Sequence, residues 1–277
     1  MLSDPPLVTF VDPGPLNWVT RACLKSAVRV GHSVHAYAYG EISDLPRGVT
    51  AKDANEVTPK ADIFLFDGVT QPEQSGSLAP FSDALRYRLL SLGLGTWVDW
   101  DVYFLHALDP DQTTILGWEG PRPFGASLNP YAAMVGNAIM RMPPDSRVLQ
   151  DLVRITSAPY EMPPWLSPWL RYQVKRNLGG APYNPGAARY AEYGPIALSY
   201  YIRKHRMKSS VRNYTYHYPV DYREVSAFLQ EANAFLASLP REAQTIHLWN
   251  SSFRRLTNTS LPPNSFAARL REESLDA

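Results

Sequence analysis

The chain has 277 residues, of which 45% are hydrophobic, so it is long and apolar enough to form one large folded domain or two small ones. Its 27 Lys and Arg and 26 Asp and Glu residues give a formal net charge of +1, which argues against a broad nucleic-acid surface. The single cysteine, Cys23, excludes an internal disulfide framework. No apolar run reaches the roughly 18 residues of a membrane-spanning helix, and the first residues do not resemble a signal peptide.

The first 40 residues predict a strand, a helix and a second strand. Residues 7–11 are apolar, and a Pro- and Gly-rich turn separates them from a helix expected over residues 17–30. Gly31 can end this helix, and the alternation in residues 33–39 favours the next strand. This order is typical of a parallel sheet with a right-handed crossover.

Residues 81–105 predict a helix, a glycine break and a strand. Ser82 is a favourable N-cap residue, leucines recur after it at helical spacing, and Gly93 can end the helix in a left-handed conformation. Asp83 and Arg86 lie three residues apart, so they share one helix face and can form an ion pair. This pair is either an ordinary surface contact or one wall of a pocket.

Residues 96–98 favour a strand that runs into the sequence Asp99-Trp100-Asp101. In an extended backbone, Trp97, Asp99 and Asp101 point to one side. Two carboxylates at the end of an apolar strand are costly to bury without a partner, and a hard cation such as Mg²⁺ or Mn²⁺ prefers oxygen ligands. The motif therefore predicts a metal site, with a solvated turn as the ordinary alternative.

Further elements are expected in the second half of the chain. Strands are predicted at residues 63–66, 113–118 and 134–142, and Asp145 can cap a helix that runs to about residue 156. Loops are expected at residues 67–80 and 119–131, and residues 159–185 look irregular. An apolar helix should follow Gly194-Pro195, and a polar helix is predicted over residues 265–277.

Residues 245–250 predict an apolar strand that ends in a loop and carries His247. A lone histidine in such a strand usually has a structural role. Imidazole also binds Mn²⁺, so beside an Asp-x-Asp site His247 becomes a candidate third metal ligand.

The central stretch resembles the signature of retaining glycosyltransferases with a DXD motif. The family is the one with the DXD sugar-binding motif, which includes α-1,4-galactosyltransferase-like and yeast mannosyltransferase-like enzymes, and the clostridial glucosylating toxins carry a related version. The resemblance covers the core closely and the rest of the chain more loosely. It is carried by Ser82, Asp83, Arg86, Tyr87, Gly93, Trp97, Asp99, Trp100 and Asp101, with a weaker match at Gly31, His32, Val34, Gly194, Pro195, His247 and Trp249.

The resemblance implies one α/β domain of the GT-A type over residues 1–277, with a mostly parallel central sheet and flanking helices. The donor half would span about residues 1–142 and the acceptor-side additions about residues 143–240. A metal-ligand segment would follow at residues 244–254. The first strand ends in Phe10-Val11-Asp12, where the family has a tryptophan that holds the nucleotide base.

The resemblance also implies a set of site residues. Mn²⁺ or Mg²⁺ would be held by Asp99, Asp101 and His247. The catalytic residues would be Asp99, Asp101 and Arg86. The donor-binding residues would be Asp83, Arg86, Trp97, Asp99, Asn137 and Trp249. Asn137 could equally satisfy backbone groups, and Trp165 and Trp169 could either stack on an acceptor sugar or seal the core.

The implied reaction moves a hexose from a nucleotide sugar, with UDP favoured, to a saccharide or glycolipid acceptor. A bacterial protein of polysaccharide biosynthesis is expected, cytoplasmic or peripheral to the membrane, without a transmembrane segment or a nucleic-acid partner. Two alternatives stay open. One is a phosphatase in which Asp99 is the nucleophile and Asp101 the general acid, although Tyr103 stands where that class has Thr or Val. The other is a carbohydrate-binding module without catalytic activity.

Overall fold

A computed structural model describes residues 4–67, 74–121, 134–188, 191–257 and 260–275. Parts of the two predicted loops, residues 68–73 and 122–131, lie outside the described residues. The strands are β1 (Leu7–Phe10), β2 (Val34–Ala38), β3 (Val49–Asp53), β4 (Thr96–Val98), β5 (Val102–Phe104), β6 (Ile115–Trp118), β7 (Val135–Arg141) and β8 (Thr245–His247). The helices are α1 (Trp18–Arg29), α2 (Ala79–Ser91), α3 (Arg147–Ile155), α4 (Pro168–Leu178), α5 (Ala197–Lys204), α6 (Ala232–Ser238), α7 (Asn250–Thr257) and α8 (Phe266–Leu275).

Six strands form a mixed sheet in the order β3-β2-β1-β4-β7-β6. The strands β3, β2, β1 and β4 are parallel, whereas β7 is antiparallel to both β4 and β6. The predicted α/β class with a mostly parallel central sheet is therefore confirmed. A separate antiparallel pair joins β5 to β8, which lies far downstream in the chain.

Helices cover both faces of the six-stranded sheet. On one face, α2, α3 and α5 pack through buried side chains such as Leu85, Leu149 and Leu198. On the other face lies α1, whose Leu24 contacts the sheet and whose Cys23 packs toward the C-terminal elements. Because α1 has buried residues on two sides, it joins the sheet to the unit formed by α6, α7, α8 and the β5–β8 pair. None of the helices within the described ranges is long and apolar enough to cross a membrane.

The start of α2 differs from the prediction. The helix begins at Ala79, so Ser82 lies inside it and is not the N-cap residue. Pro80 occupies the first turn, where a fixed φ and a missing N–H are favourable, and the Ser77 hydroxyl accepts the Ala79 N–H at 3.2 Å. Similarly, α3 begins at Arg147 with Ser146 at the N-cap position rather than Asp145.

Three other segments also differ from their predictions. Residues 63–66 form no strand, because the Phe66 N–H bonds to the Ser77 carbonyl and not to a sheet strand. The supposedly irregular residues 159–185 contain α4, which the Ser167 side chain caps at its N-terminus and Gly179 ends at φ 56°. The strand predicted over residues 245–250 is shorter, since β8 ends at His247, and after Leu248 and Trp249 the chain enters α7 at Asn250. The predicted C-terminal helix is present as α8, but it buries Phe266 and Leu270 against α1 and α6.

Candidate metal and sugar-binding site

The Asp-x-Asp motif lies in the turn between β4 and β5. The Asp99 N–H donates to the Ala138 carbonyl at 2.7 Å, which continues the pairing of β4 with β7 by one residue. The Val102 N–H then donates to the Asp99 carbonyl at 3.1 Å, which closes a tight turn. The expectation of an extended backbone through Asp101 is therefore wrong, although the two carboxylates lie close together as predicted. The chain reverses here because Val102 must reach β8.

The pairing of β5 with β8 brings His247 to the motif. Val102 lies opposite His247, and the Leu248 N–H donates to the Asp101 carbonyl at 2.9 Å. As a result, the His247 Nε2 atom lies 3.3 Å from the Asp101 Oδ1 atom. Asp99 completes the group, since one ligand atom from each of the three residues lies within 4.8 Å of the other two.

The three side chains form a group that could hold a metal ion. An octahedral ion with bonds of about 2.1 Å separates adjacent ligand atoms by about 3.0 Å and opposite ones by about 4.2 Å. The observed spread of at most 4.8 Å is close to this range, so small side-chain movements would be enough. Two carboxylates and one imidazole also suit Mn²⁺ or Mg²⁺ chemically. The His247 Nδ1 atom is buried without a hydrogen-bond partner among the described residues.

Asp101 and His247 form a buried ion pair. Burial by itself raises the pKa of Asp101, but the His247 ring and the Asn250 N–H, which donates to Oδ2 at 2.8 Å, bring it below its usual value. Burial lowers the pKa of His247, but the neighbouring Asp101 carboxylate reverses this effect and the net shift is upward. The Asp101 side chain is therefore fixed at the first residue of α7, where the helix dipole also favours a negative charge.

Arg86 joins the helix to the motif. Its guanidinium lies 2.9 Å from the Asp99 carboxylate and 3.4 Å from Asp83, and it donates to the Asn137 carbonyl at 2.5 Å. It also lies over the Trp97 ring at 4.7 Å, while the Trp97 indole N–H donates to Asp99 at 2.7 Å. Of the two alternatives left open for the pair of Asp83 and Arg86, a surface contact is excluded, because both residues are buried. The Asp99 carboxylate is held from two directions before any ligand arrives.

The side chain of Asp83 is less exposed to solvent than that of Asp99. Burial raises its pKa to about 6, although Arg86 opposes this shift, and the Asn137 side-chain amide donates to its carboxylate at 2.8 Å. Gly194 covers this contact, since a Cβ atom there would lie 2.8 Å from Asn137 Nδ2 and 2.9 Å from Asp83 Oδ2. The close packing of residue 194 on Asp83 and Asn137 is possible only because this residue has no side chain.

Trp249 lies against the histidine rather than in open space. Its ring centroid is 4.1 Å from that of His247, and its indole N–H donates to the Val220 carbonyl at 2.8 Å. Its backbone has a φ of 52°, a left-handed conformation in a tryptophan that only strong local contacts maintain. Trp249 thus fixes the orientation of the His247 ring.

Two residues of the site were not predicted from the sequence. Glu119 directly follows β6, and burial raises its pKa to about 7, with His247 opposing and Asp99 adding to the shift. Tyr218 contacts the His247 ring, and its hydroxyl accepts the Ala138 N–H at 3.1 Å. The only signal for Glu119 was a charged residue at the end of a predicted strand.

Three other aromatic residues named in the sequence analysis have different surroundings. Trp165 packs against Tyr200 with ring centroids 5.1 Å apart and donates a short hydrogen bond to Glu192, so it belongs to the core edge. Trp169 is 63% exposed on α4. Phe10, at the end of β1, is buried against Phe81.

No family model matches the chain, and no curated protein matches it. Among solved structures, the chain is similar to one described as the PaToxG glycosyltransferase. The TM-score is 0.44 and the sequence identity is 10%, over 98% of this chain and 83% of that chain.

Proposed function

We propose that this chain is a metal-dependent retaining glycosyltransferase of the GT-A type. It would move a hexose from a nucleotide sugar, with UDP favoured, to a saccharide or glycolipid acceptor. One observation carries the proposal: ligand atoms of Asp99, Asp101 and His247 meet within 4.8 Å, beside a buried arginine at the carboxyl end of parallel strands. Ligands of open α/β sheets bind at that edge.

The chain's own residues suggest separate roles. Asp99, Asp101 and His247 would hold Mn²⁺ or Mg²⁺, which would neutralise the charge that develops on a departing diphosphate. Arg86 and Trp97 keep the Asp99 carboxylate oriented, so little reorganisation is needed on binding. Donor binding would also involve Trp249.

The buried pair of Asp83 and Asn137 would provide a carboxylate and an amide for hydroxyl groups of the donor sugar. Both groups are already hydrogen-bonded to each other at 2.8 Å, which fixes their positions. An acceptor hydroxyl could then attack from the same face as the departing diphosphate, a course that needs no enzyme nucleophile. Such a mechanism fits a retaining enzyme of this type.

The phosphatase alternative is less well supported. In that class the first aspartate attacks phosphorus, so one of its oxygens must be accessible and unpaired. Here Asp99 Oδ1 accepts the Trp97 indole N–H at 2.7 Å and lies 2.9 Å from Arg86. These contacts leave Asp99 Oδ2 as the oxygen that could attack, so the main argument against a phosphatase is Tyr103, which stands where that class has Thr or Val.

The decisive experiment compares wild type with Asp101→Asn in two assays. Calorimetry measures Mn²⁺-dependent binding of UDP, and a panel of nucleotide sugars is screened for Mn²⁺-dependent hydrolysis. Asp101→Asn should abolish metal-dependent UDP binding and lower hydrolysis by at least about 100-fold, since a ligand matters no less than the groups that orient it. The control is Asp111→Asn, at an exposed aspartate outside the site, which should behave as wild type.

Three results would contradict the proposal. If Asp101→Asn hydrolysed nucleotide sugars as fast as wild type, Asp101 would not be a ligand of a required metal ion. Protection from heating by phosphate but not by UDP would indicate the phosphatase. Binding of sugars without turnover of any nucleotide sugar would indicate a carbohydrate-binding module.

A further inference from the structure

Helix α4 has an unusual distribution of side chains. None of its residues is buried, and Trp169 and Tyr172 are 63% and 64% exposed. At three residues apart they lie side by side on one face, and Lys175 and Arg176 continue that face by one more turn. The opposite face carries Leu170, Val174 and Leu178, which are half-buried against the protein. Aromatic and cationic residues therefore share the outer side of α4.

The sequence around α4 carries cations and, between Glu161 and Glu192, no acidic residue. Residues 162–191 contain Arg171, Lys175, Arg176 and Arg189 and no acidic residue. Arg171 is used internally, because it donates to the carbonyl groups of Leu166 and Pro163 at 3.1 and 2.9 Å. Lys175 and Arg176 are exposed on the outer face. This strong local bias contrasts with a whole chain of net charge +1.

We propose that the outer face of α4, formed by Trp169, Tyr172, Lys175 and Arg176, docks onto a membrane surface that contains anionic phospholipid. Tryptophan and tyrosine favour the boundary between headgroups and acyl chains, where the ring is in an apolar layer and its polar atom is hydrated. Lysine and arginine reach the phosphates from the same depth. An anionic membrane surface matches the outer face of α4 both in charge and in polarity, so it is the partner assigned to this face.

The charges also argue against a second copy of this chain on the same face. A two-fold interface would place the α4 cations of one protomer against those of its partner, without acidic residues in 162–191 to compensate. A single-stranded nucleic acid would need a cationic groove along its backbone. The outer face of α4 is convex and offers two exposed cations, which is too short a track.

The helix is held in place by the segments that flank it. Trp165 contacts Tyr200 and Tyr201, with ring centroids 5.1 and 5.9 Å apart, and the Tyr193 hydroxyl donates to the Tyr183 hydroxyl at 2.8 Å. Because none of the outer-face side chains contributes to this anchoring, substitutions there should leave the fold intact. Unchanged thermal unfolding of each variant checks this point.

The test is flotation of the full chain with two kinds of vesicle, phosphatidylcholine alone and an equal mixture with phosphatidylglycerol. Wild type should float with the mixture, and added salt should weaken this binding. Lys175→Glu/Arg176→Glu should lower partitioning roughly 25-fold or more, since each cation contributes about a fivefold factor at an anionic surface. Trp169→Ala/Tyr172→Ala should lower it at least about tenfold.

Matched controls lie elsewhere on the surface. Lys60→Glu/Arg241→Glu makes the same change in net charge at exposed positions, and Leu65→Ala/Leu92→Ala removes two apolar side chains that are 50% and 58% exposed. Both controls should float as wild type does. The proposal is overturned if wild type binds neither vesicle, if the α4 variants bind undiminished, or if the controls lose as much.

Two further outcomes would assign the face to another occupant. A dimer in sedimentation experiments that only the α4 variants disrupt would show that this face binds a second copy of the chain. Retention on single-stranded RNA in place of vesicles would give it to nucleic acid. Either result would refute lipid docking. Neither depends on metal or sugar binding, so this proposal and the proposed function fail separately.

Discussion

Replacement of Arg86 by methionine is the sharpest test of how the site is held together. Arg86 is 4% exposed and neutralises two carboxylates, at 2.9 Å from Asp99 and 3.4 Å from Asp83. Methionine keeps most of the volume and the packing on Trp97, but it removes the charge. Removing one partner of a buried ion pair typically costs about 3–5 kcal/mol, because the other charge is left without compensation.

The cost should depend on pH in a defined direction. The pKa of Asp83 is already raised to about 6 by burial, and the loss of Arg86, which lowers it, raises it further. A carboxyl whose pKa is higher in the folded than in the unfolded state stabilises the protein below the unfolded value and loses this contribution as pH rises to the folded value. The deficit of Arg86→Met should therefore be largest above neutrality. It should shrink as the pH falls from the higher pKa of Asp83 in the variant to about 6, by about 1.4 kcal/mol for each unit that this pKa has risen, and stay constant at lower pH.

Urea unfolding with a chelator present, at about pH 7.5 and about pH 5, measures this difference. The control is Arg88→Met on the same helix, where the guanidinium donates to the Thr58 hydroxyl at 3.2 Å. This loss should cost about 1 kcal/mol or less at both pH values. An Arg86→Met deficit as small as that of the control, or one that is equal at the two pH values, would refute the reasoning.

Two further predictions concern buried positions. Gly194→Ala would place a methyl group 2.8 Å from Asn137 and 2.9 Å from Asp83, so it should lower the free energy of unfolding by about 1–3 kcal/mol. Gly120→Ala, whose new Cβ atom would have its nearest neighbour 3.6 Å away, should change this free energy by less than about 0.5 kcal/mol. Equal effects of the two substitutions would contradict the close packing of Gly194 on Asp83 and Asn137. Burial lowers the pKa of His217 to about 3, so the folded state resists protonation and stability should fall with pH below about 6.5. By about pH 5 the loss should be about 2 kcal/mol, and His217→Gln should remove this component; an unchanged pH slope in the variant would argue against a neutral buried imidazole.

The elements that sequence analysis predicted well are those with a local pattern. The predicted helix over residues 17–30 is observed as Trp18–Arg29, with the Asn17 side chain accepting the Thr20 N–H at 3.0 Å. The strands on either side of it also appear close to their expected bounds. Alternation, helical spacing and capping residues act over a few neighbours, so they can be recognised without knowledge of the fold.

Elements that depend on distant partners were predicted less well. Residues 63–66 are apolar enough for a strand, but the Phe66 N–H donates to the Ser77 carbonyl and the Phe66 carbonyl accepts the Gly76 N–H, so they do not pair with a sheet strand. Helix α4 was missed because prolines surround it, although Pro168 at its first position is favourable. A later segment of the chain decides the structure of residues 63–66, whereas the signals for α4, which are Ser167, Pro168 and Gly179, are local and were overlooked.

For the candidate site, the sequence by itself determined the chemical types: two aspartates after an apolar strand, an arginine one helix turn from a third aspartate, and a histidine far downstream. Only the tertiary structure decided that these residues meet. The pairing of Val102 with His247 closes the site, and it also bends the motif into a turn. The depth of Asp83 and the approach of Gly194 and Glu119 were likewise decided by packing. The physical reason is that residue chemistry is carried by each side chain alone, whereas distance and burial depend on how the whole chain folds.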